Sequence, residues 1–144
     1  MQNFPHSYRV SASGGREGVV VASAAGLADL VTASPAEFDG PGDQWSPETM
    51  LVAAVASCYL LTFRSIARAA RFDWNQVRCR VEGILDRVER VTRFTKIYLN
   101  VKLEAPSGVD LQKAQQLLQK TEQSCLITRS LNAQVVFETE IEEQ

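Results

Sequence analysis

Three features of the sequence predict an α+β fold: several short runs in which apolar and polar residues alternate, one long stretch that is small or apolar on every side, and one amphipathic helical pattern near the C-terminal end. The expected architecture is about six strands in antiparallel sheets around a long buried central helix, plus a second helix. At 144 residues and 15.9 kDa the chain is expected to form a single domain over residues 1–144, large enough to bury a real core.

Taken in order, residues 8–12 and 18–23 read as a hairpin around Gly14-Gly15-Arg16-Glu17, and a third short strand covers about 27–32 after the turn at Gly26. Residues 33–45 hold Pro35, Gly40, Pro41 and Gly42 and read as a loop. Ser46-Pro47-Glu48 is a helix start: the serine accepts orphan amide bonds, the proline suits the first helical position, and the carboxylate favours the positive end of the dipole. The helix runs to about Ala70. From Met50 to Phe63 it is small or apolar all round, which predicts that other elements enclose it, while Arg64, Arg68 and Arg71 mark solvated last turns.

Val77, Cys79, Val81 and Leu85 alternate with charged residues over 77–88 and predict a half-buried strand. Thr95, Ile97, Leu99, Val101 and Leu103 alternate in the same way and make its hairpin partner. Residues 110–122 are amphipathic through Leu111, Ala114, Leu117, Leu118 and Thr121, and Val135, Phe137 and Ile141 mark one side of a closing strand.

Composition excludes several classes. Hydrophobic residues at 45 % and charged residues at 22 % are ordinary globular usage, and a net charge of −2 offers no footprint for a phosphate backbone, so no nucleic-acid partner is expected. The first ten residues lack a basic segment followed by an apolar one, and the longest charge-free run, residues 49–63, is shorter than the roughly 18 residues of a membrane span. A cytoplasmic location without membrane association is therefore expected. Three cysteines without a CxxC pattern give neither a disulfide scaffold nor a zinc site, and the single histidine, His6, leaves little scope for Cys–His or Ser–His chemistry.

The cysteines are then the residues to weigh. Cys58 lies mid-helix with Leu51, Ala54, Val55, Leu61 and Thr62 on its face, as either a small core hydrophobe or a reactive thiol. Burial suppresses a thiolate, so reactivity there would require a nearby cation. Cys125 follows the second helix directly, where partial exposure is expected and the negative end of the dipole disfavours a thiolate. It is either a loop cysteine or a second, resolving thiol. Cys79, on the apolar side of a strand, reads as structural. Arg16 is presented by a glycine-rich turn, and Glu48 is accounted for by the dipole; either is bland or part of a site.

Taken together, Ser46-Pro47-Glu48-Thr49-Met50-Leu51-Val52-Ala53-Ala54-Val55-Ala56-Ser57-Cys58, the turn Gly14-Gly15-Arg16-Glu17-Gly18, the strand start Arg93-Phe94-Thr95-Lys96-Ile97, and Cys125-Leu126-Ile127-Thr128-Arg129-Ser130-Leu131 resemble the OsmC/Ohr family of osmotically induced and organic-hydroperoxide-resistance proteins. After Cys125 the chain resembles the OsmC-like branch. The resemblance implies an OsmC-like fold, an intertwined homodimer with sites at the subunit interface, and a thiol-dependent peroxidase working without metal, haem or other bound cofactor. It implies Cys58 as peroxidatic cysteine, Cys125 as resolving cysteine, Arg16 as the arginine beside the thiolate and Glu48 as the carboxylate orienting that arginine. Organic hydroperoxides are the implied substrates and an external dithiol, of lipoyl type, the implied reductant.

On one straight helix, Glu48 and Cys58 are separated by about 15 Å of rise and a rotation of about 280°, so they are expected to meet in trans. One subunit then supplies Cys58 and Cys125, and the other Arg16 and Glu48. The alternative reading is a non-catalytic OsmC-like module that binds a small hydrophobic ligand or acts as a redox sensor.

Overall fold

The glycine-rich turn near the N-terminus returns the chain on itself, and the first sheet forms around it. In the computed structural model, which describes residues 1–144, β1 (Ser11–Ser13), β2 (Val20–Ser23) and β3 (Leu30–Thr32) pair antiparallel in that order. All three strands are shorter than the expected 8–12, 18–23 and 27–32. The loop after β3 contains a short 3-10 helix, Ala36–Phe38, and returns so that the Ala33 amide donates to the Trp45 carbonyl at 2.9 Å. These elements belong to a compact unit, Met1–Met50, whose only buried residues are Thr32, Ala33 and Ser46.

Helix α1 (Pro47–Ala69) starts within four residues of the end of that unit and continues into the second, Leu51–Gln144. Its start is a reciprocal cap. The Ser46 hydroxyl accepts from the Thr49 amide at 3.1 Å, and the Thr49 hydroxyl accepts from the Ser46 amide at 2.9 Å. Threonine thus takes the place that Glu or Gln holds in the common capping box.

In the second unit β4 (Gln76–Val88) and β5 (Val91–Ala105) form a long antiparallel hairpin, closed by Glu89 and Arg90 at φ 52° and 68°. Positive φ at both central residues gives the turn whose twist matches the strands. Strand β6 (Gln134–Glu143) joins the far side of β5 in parallel, not antiparallel as expected. The chain between β5 and β6 is long enough to cross over the sheet, carrying α2 (Leu111–Ser124) and a short α3 (Leu126–Arg129) that periodicity had not shown. The other three strand pairs are antiparallel.

Ile97, Leu99, Val101 and Leu103 of β5 form the buried inner face of this sheet, with Val77, Cys79 and Val81 of β4 and Val135, Phe137 and Ile141 of β6 alongside. Helix α1 contributes the stripe Val55, Tyr59, Phe63 and Ala67, and α2 contributes Ala114, Leu117 and Leu118. At Gly83 a Cβ would stand 2.8 Å from the Phe94 ring and 2.9 Å from Val52, so glycine is what lets the aromatic ring and α1 approach β4.

Helix α1 is not enclosed on every face. Only its i, i+4 stripe is fully buried, and Leu61 remains 58 % exposed, because one sheet and one partner helix cover only part of a cylinder. By length and composition α1 is also long and apolar enough to cross a membrane, a property that the charge-free run understated. Its buried stripe is part of the core of the second unit.

Candidate thiol site

Cys58 is half-buried on α1, one residue before the fully buried Tyr59. Its Sγ lies 3.8 Å from the Thr62 hydroxyl, the i+4 neighbour on the same helix face. The junction between α2 and α3 meets the same sulfur. Burial pushes the Cys58 thiol up, but hydrogen bonding from the Ile127 backbone, the Cys125 thiol, the Thr62 hydroxyl and the Leu126 backbone outweighs it and holds the thiol below its ordinary value. The expected requirement for a cation is met differently here. Backbone N–H groups at the start of α3 supply the positive ends of dipoles where a charged side chain had been expected.

Cys125 is completely buried, against the expectation of partial exposure. It closes α2 and opens α3 at once, with φ −66° and ψ 106°, and the second helix turns the chain back over it. The Thr128 hydroxyl donates to the Cys125 carbonyl at 3.0 Å, and the Arg129 Nε donates to the Gln123 carbonyl at 2.9 Å, tying α3 to the end of α2. Burial pushes the Cys125 thiol up; bonding from Thr128 opposes this, while Cys58 adds to the rise, and the result lies above the ordinary value. The two neighbouring thiols are therefore unequal. Cys58 is the more acidic of the two.

Cys79 differs from both. Burial, with a smaller contribution from Cys125, pushes it up to about 12, which makes it inert at neutral pH. All three cysteines are free.

The other two sequence candidates lie in the first unit. Arg16 is exposed in the turn between β1 and β2, and it has no carboxylate within ion-pair distance; the one such pair in the chain is Lys102 with Glu142, at 2.7 Å. Glu48 lies in the first turn of α1, and its Oε2 is buried without a hydrogen-bond partner. Since Thr49 already completes the cap, capping does not use this oxygen. The structure thus brings Cys58 and Cys125 together and leaves Arg16 and Glu48 unpaired.

Sequence reasoning placed Thr62 on the face of Cys58 but read it as packing, although its i+4 spacing was the signal of a contact. Leu126 and Ile127 carried no such signal, because they act through the backbone. No group of three or more His, Cys, Asp or Glu side chains is arranged to hold a metal ion.

The α+β frame that carries these residues is also found in known proteins. The family model described as OsmC-like protein aligns with residues 40–140, which is well over half of the chain. The chain belongs to the OsmC-like family. A relative, the uncharacterized protein YmaD of Bacillus subtilis, is 30 % identical over 114 residues, covering 74 % of this chain and 73 % of YmaD. An OsmC-like protein of unknown function from Vibrio cholerae superposes with a TM-score of 0.82 at 21 % identity, covering 95 % of this chain and 99 % of its own. An organic hydroperoxide resistance protein OsmC from Legionella pneumophila gives a TM-score of 0.75 at 23 % identity, covering 97 % and 99 %. At these identities the two structures speak for the fold, and the fold is the OsmC-like one.

Proposed function

We propose that this protein is a thiol-dependent peroxidase that reduces organic hydroperoxides to alcohols. The observation that carries the reading is the inequality of the two facing thiols: Cys58 is held below its ordinary pKa despite burial, and Cys125 is held above it. A depressed thiolate is the nucleophile, and a neighbouring protonated thiol is the resolving partner.

In the first step the Cys58 thiolate attacks one peroxide oxygen, the O–O bond breaks, and the alkoxide leaves with a proton as the alcohol. Cys58 is oxidised to sulfenic acid. The Cys125 sulfur then attacks the sulfenic sulfur, its thiol proton leaves with the hydroxyl as water, and the Cys58–Cys125 disulfide forms. An external dithiol, of lipoyl type, reduces this disulfide to two thiols and is itself oxidised to a disulfide. The partly exposed apolar surface of α1 around Leu61 favours a substrate with an organic tail over hydrogen peroxide.

The reading includes a homodimer in which one subunit supplies Cys58 and Cys125 and the other supplies Arg16 and Glu48. Two features support it: the uncovered apolar surface of α1, and the buried, unpartnered Glu48 oxygen, which calls for a donor such as the Arg16 guanidinium. In the assembled site the arginine would hold the peroxide oxygens and add a positive charge beside the thiolate.

The test is consumption of cumene hydroperoxide with dihydrolipoamide as reductant. Turnover by the wild-type protein, its loss in Cys58→Ser, and accumulation of overoxidised Cys58 in Cys125→Ser are expected. A wild-type protein that binds the hydroperoxide without consuming it would make this a non-catalytic ligand-binding module.

A further inference from the structure

Helices α1 and α2 run antiparallel and are joined by polar contacts along their length. At one end Lys113 Nζ donates to the Ala70 carbonyl at 3.1 Å, just past the last turn of α1. Further along, the Tyr59 hydroxyl donates to the Leu118 carbonyl at 3.0 Å in a fully buried position. Beyond that, Cys58 meets Cys125 and the amides that follow it.

The middle contact is the one that can govern the thiols. Tyr59 is the residue next to Cys58, and its partner carbonyl lies seven residues before Cys125, or about 10 Å along α2. Lys113 is on the first turn of α2, almost the whole helix away. Closing a disulfide tolerates a Cα separation of only about 4.4–6.8 Å, so a slide of α2 by a fraction of a turn decides whether the two sulfurs meet. Burial raises the Tyr59 phenol far above its ordinary value, so it stays a neutral donor throughout the working pH range.

We propose that Tyr59 is a positioning residue for the thiol pair: its hydroxyl, held on the Leu118 carbonyl, sets the register of α2 along α1 and so keeps Cys125 and the Leu126 and Ile127 amides against the Cys58 sulfur. This rests on reading Cys58 as the attacking thiol and Cys125 as its partner. The ring packs against Phe137 at 5.9 Å between centroids and remains in place when only the oxygen is removed.

Tyr59→Phe in the full-length protein is the test, with Lys113→Met as the comparison, since each removes one contact between the same two helices. The first readout is the pH profile of Cys58 alkylation by iodoacetamide in the reduced protein. The second is the partition of Cys58 between disulfide and overoxidised forms after a pulse of cumene hydroperoxide. Tyr59→Phe should move the alkylation profile to higher pH and slow disulfide closure about fivefold, the scale of one buried neutral hydrogen bond. Lys113→Met should lower the thermal midpoint and leave both readouts in place.

A Tyr59→Phe profile and closure rate that superimpose on the wild type would overturn the proposal, as would an equal shift in Lys113→Met, which would make the effect one of general packing. Alkylation needs no peroxide. If the wild-type protein fails to turn over hydroperoxide, the peroxidase reading falls while the profile still decides the role of Tyr59.

Discussion

In the Met1–Met50 unit, strands of three or four residues carry almost no buried side chain, whereas in Leu51–Gln144 strands of ten to fifteen residues face two helices across a continuous core. The small sheet leaves Val20, Leu30 and Val31 exposed, with Leu30 at 54 %. The large sheet buries Ile97, Leu99, Val101 and Leu103 completely or nearly so. The second unit supplies its own hydrophobic stabilisation. The four candidate residues divide along the same line, with Cys58 and Cys125 in the self-supporting unit and Arg16 and Glu48 in the one that lacks a core.

The strongest way to break this comparison is complementation. Subunits carrying Cys58→Ser and subunits carrying Glu48→Ala, each impaired alone, should regain about half of the wild-type peroxidase activity in purified mixed dimers, because one of two equivalent sites then carries both lesions and the other none. Mixed dimers as inactive as their parents would mean that the two units of one chain do not serve different sites.

Stability sharpens the comparison next. Phe63→Ala, at a fully buried position in the second unit, should cost about 3–5 kcal/mol in denaturant unfolding. Leu30→Ala should cost within about 0.5 kcal/mol if the small sheet is open to solvent. If a second copy covers that sheet, the Leu30→Ala loss becomes larger and depends on protein concentration.

The smallest effect compares thiols within the second unit. With its value pushed up to about 12, Cys79 stays protonated at pH 8, so iodoacetamide should label Cys58 and spare Cys79 in the folded protein. The folded value of Cys79 lies above its ordinary value of 9.0. Its contribution to stability is thus intact below pH 9 and is lost as the pH rises from 9.0 towards 12. Cys79→Val should flatten that alkaline decline in the thermal midpoint. Equal labelling of Cys58 and Cys79 at pH 8 would remove the distinction between a site thiol and a core thiol.

Much of the fold was legible because it is written in local chemistry. Ser46 and Pro47 announced the start of α1 to the residue, since orphan amides need an acceptor and proline fits only the first turn. Alternation over 77–88 and 95–103 found β4 and β5, because a half-buried strand must alternate. It fell short at the hairpin end, where the exposed residues around Glu89 and Arg90 have no buried face to reveal them. The parallel placement of β6 was not legible either, as the inward residues Val135, Phe137 and Ile141 alternate identically whichever way the strand runs.

The sequence by itself determined the α+β class, the family and the pair of cysteines, because these rest on residue identity and spacing. Only the tertiary structure decided what surrounds each sulfur. The groups that favour the Cys58 thiolate include the Leu126 and Ile127 backbone, and every residue carries an amide, so no side chain advertises the few that matter. The burial of Cys125, the inertness of Cys79 and the unpartnered oxygen of Glu48 are likewise properties of what surrounds a side chain. Desolvation and hydrogen bonding act through distances across the fold, and spacing along the chain does not contain them.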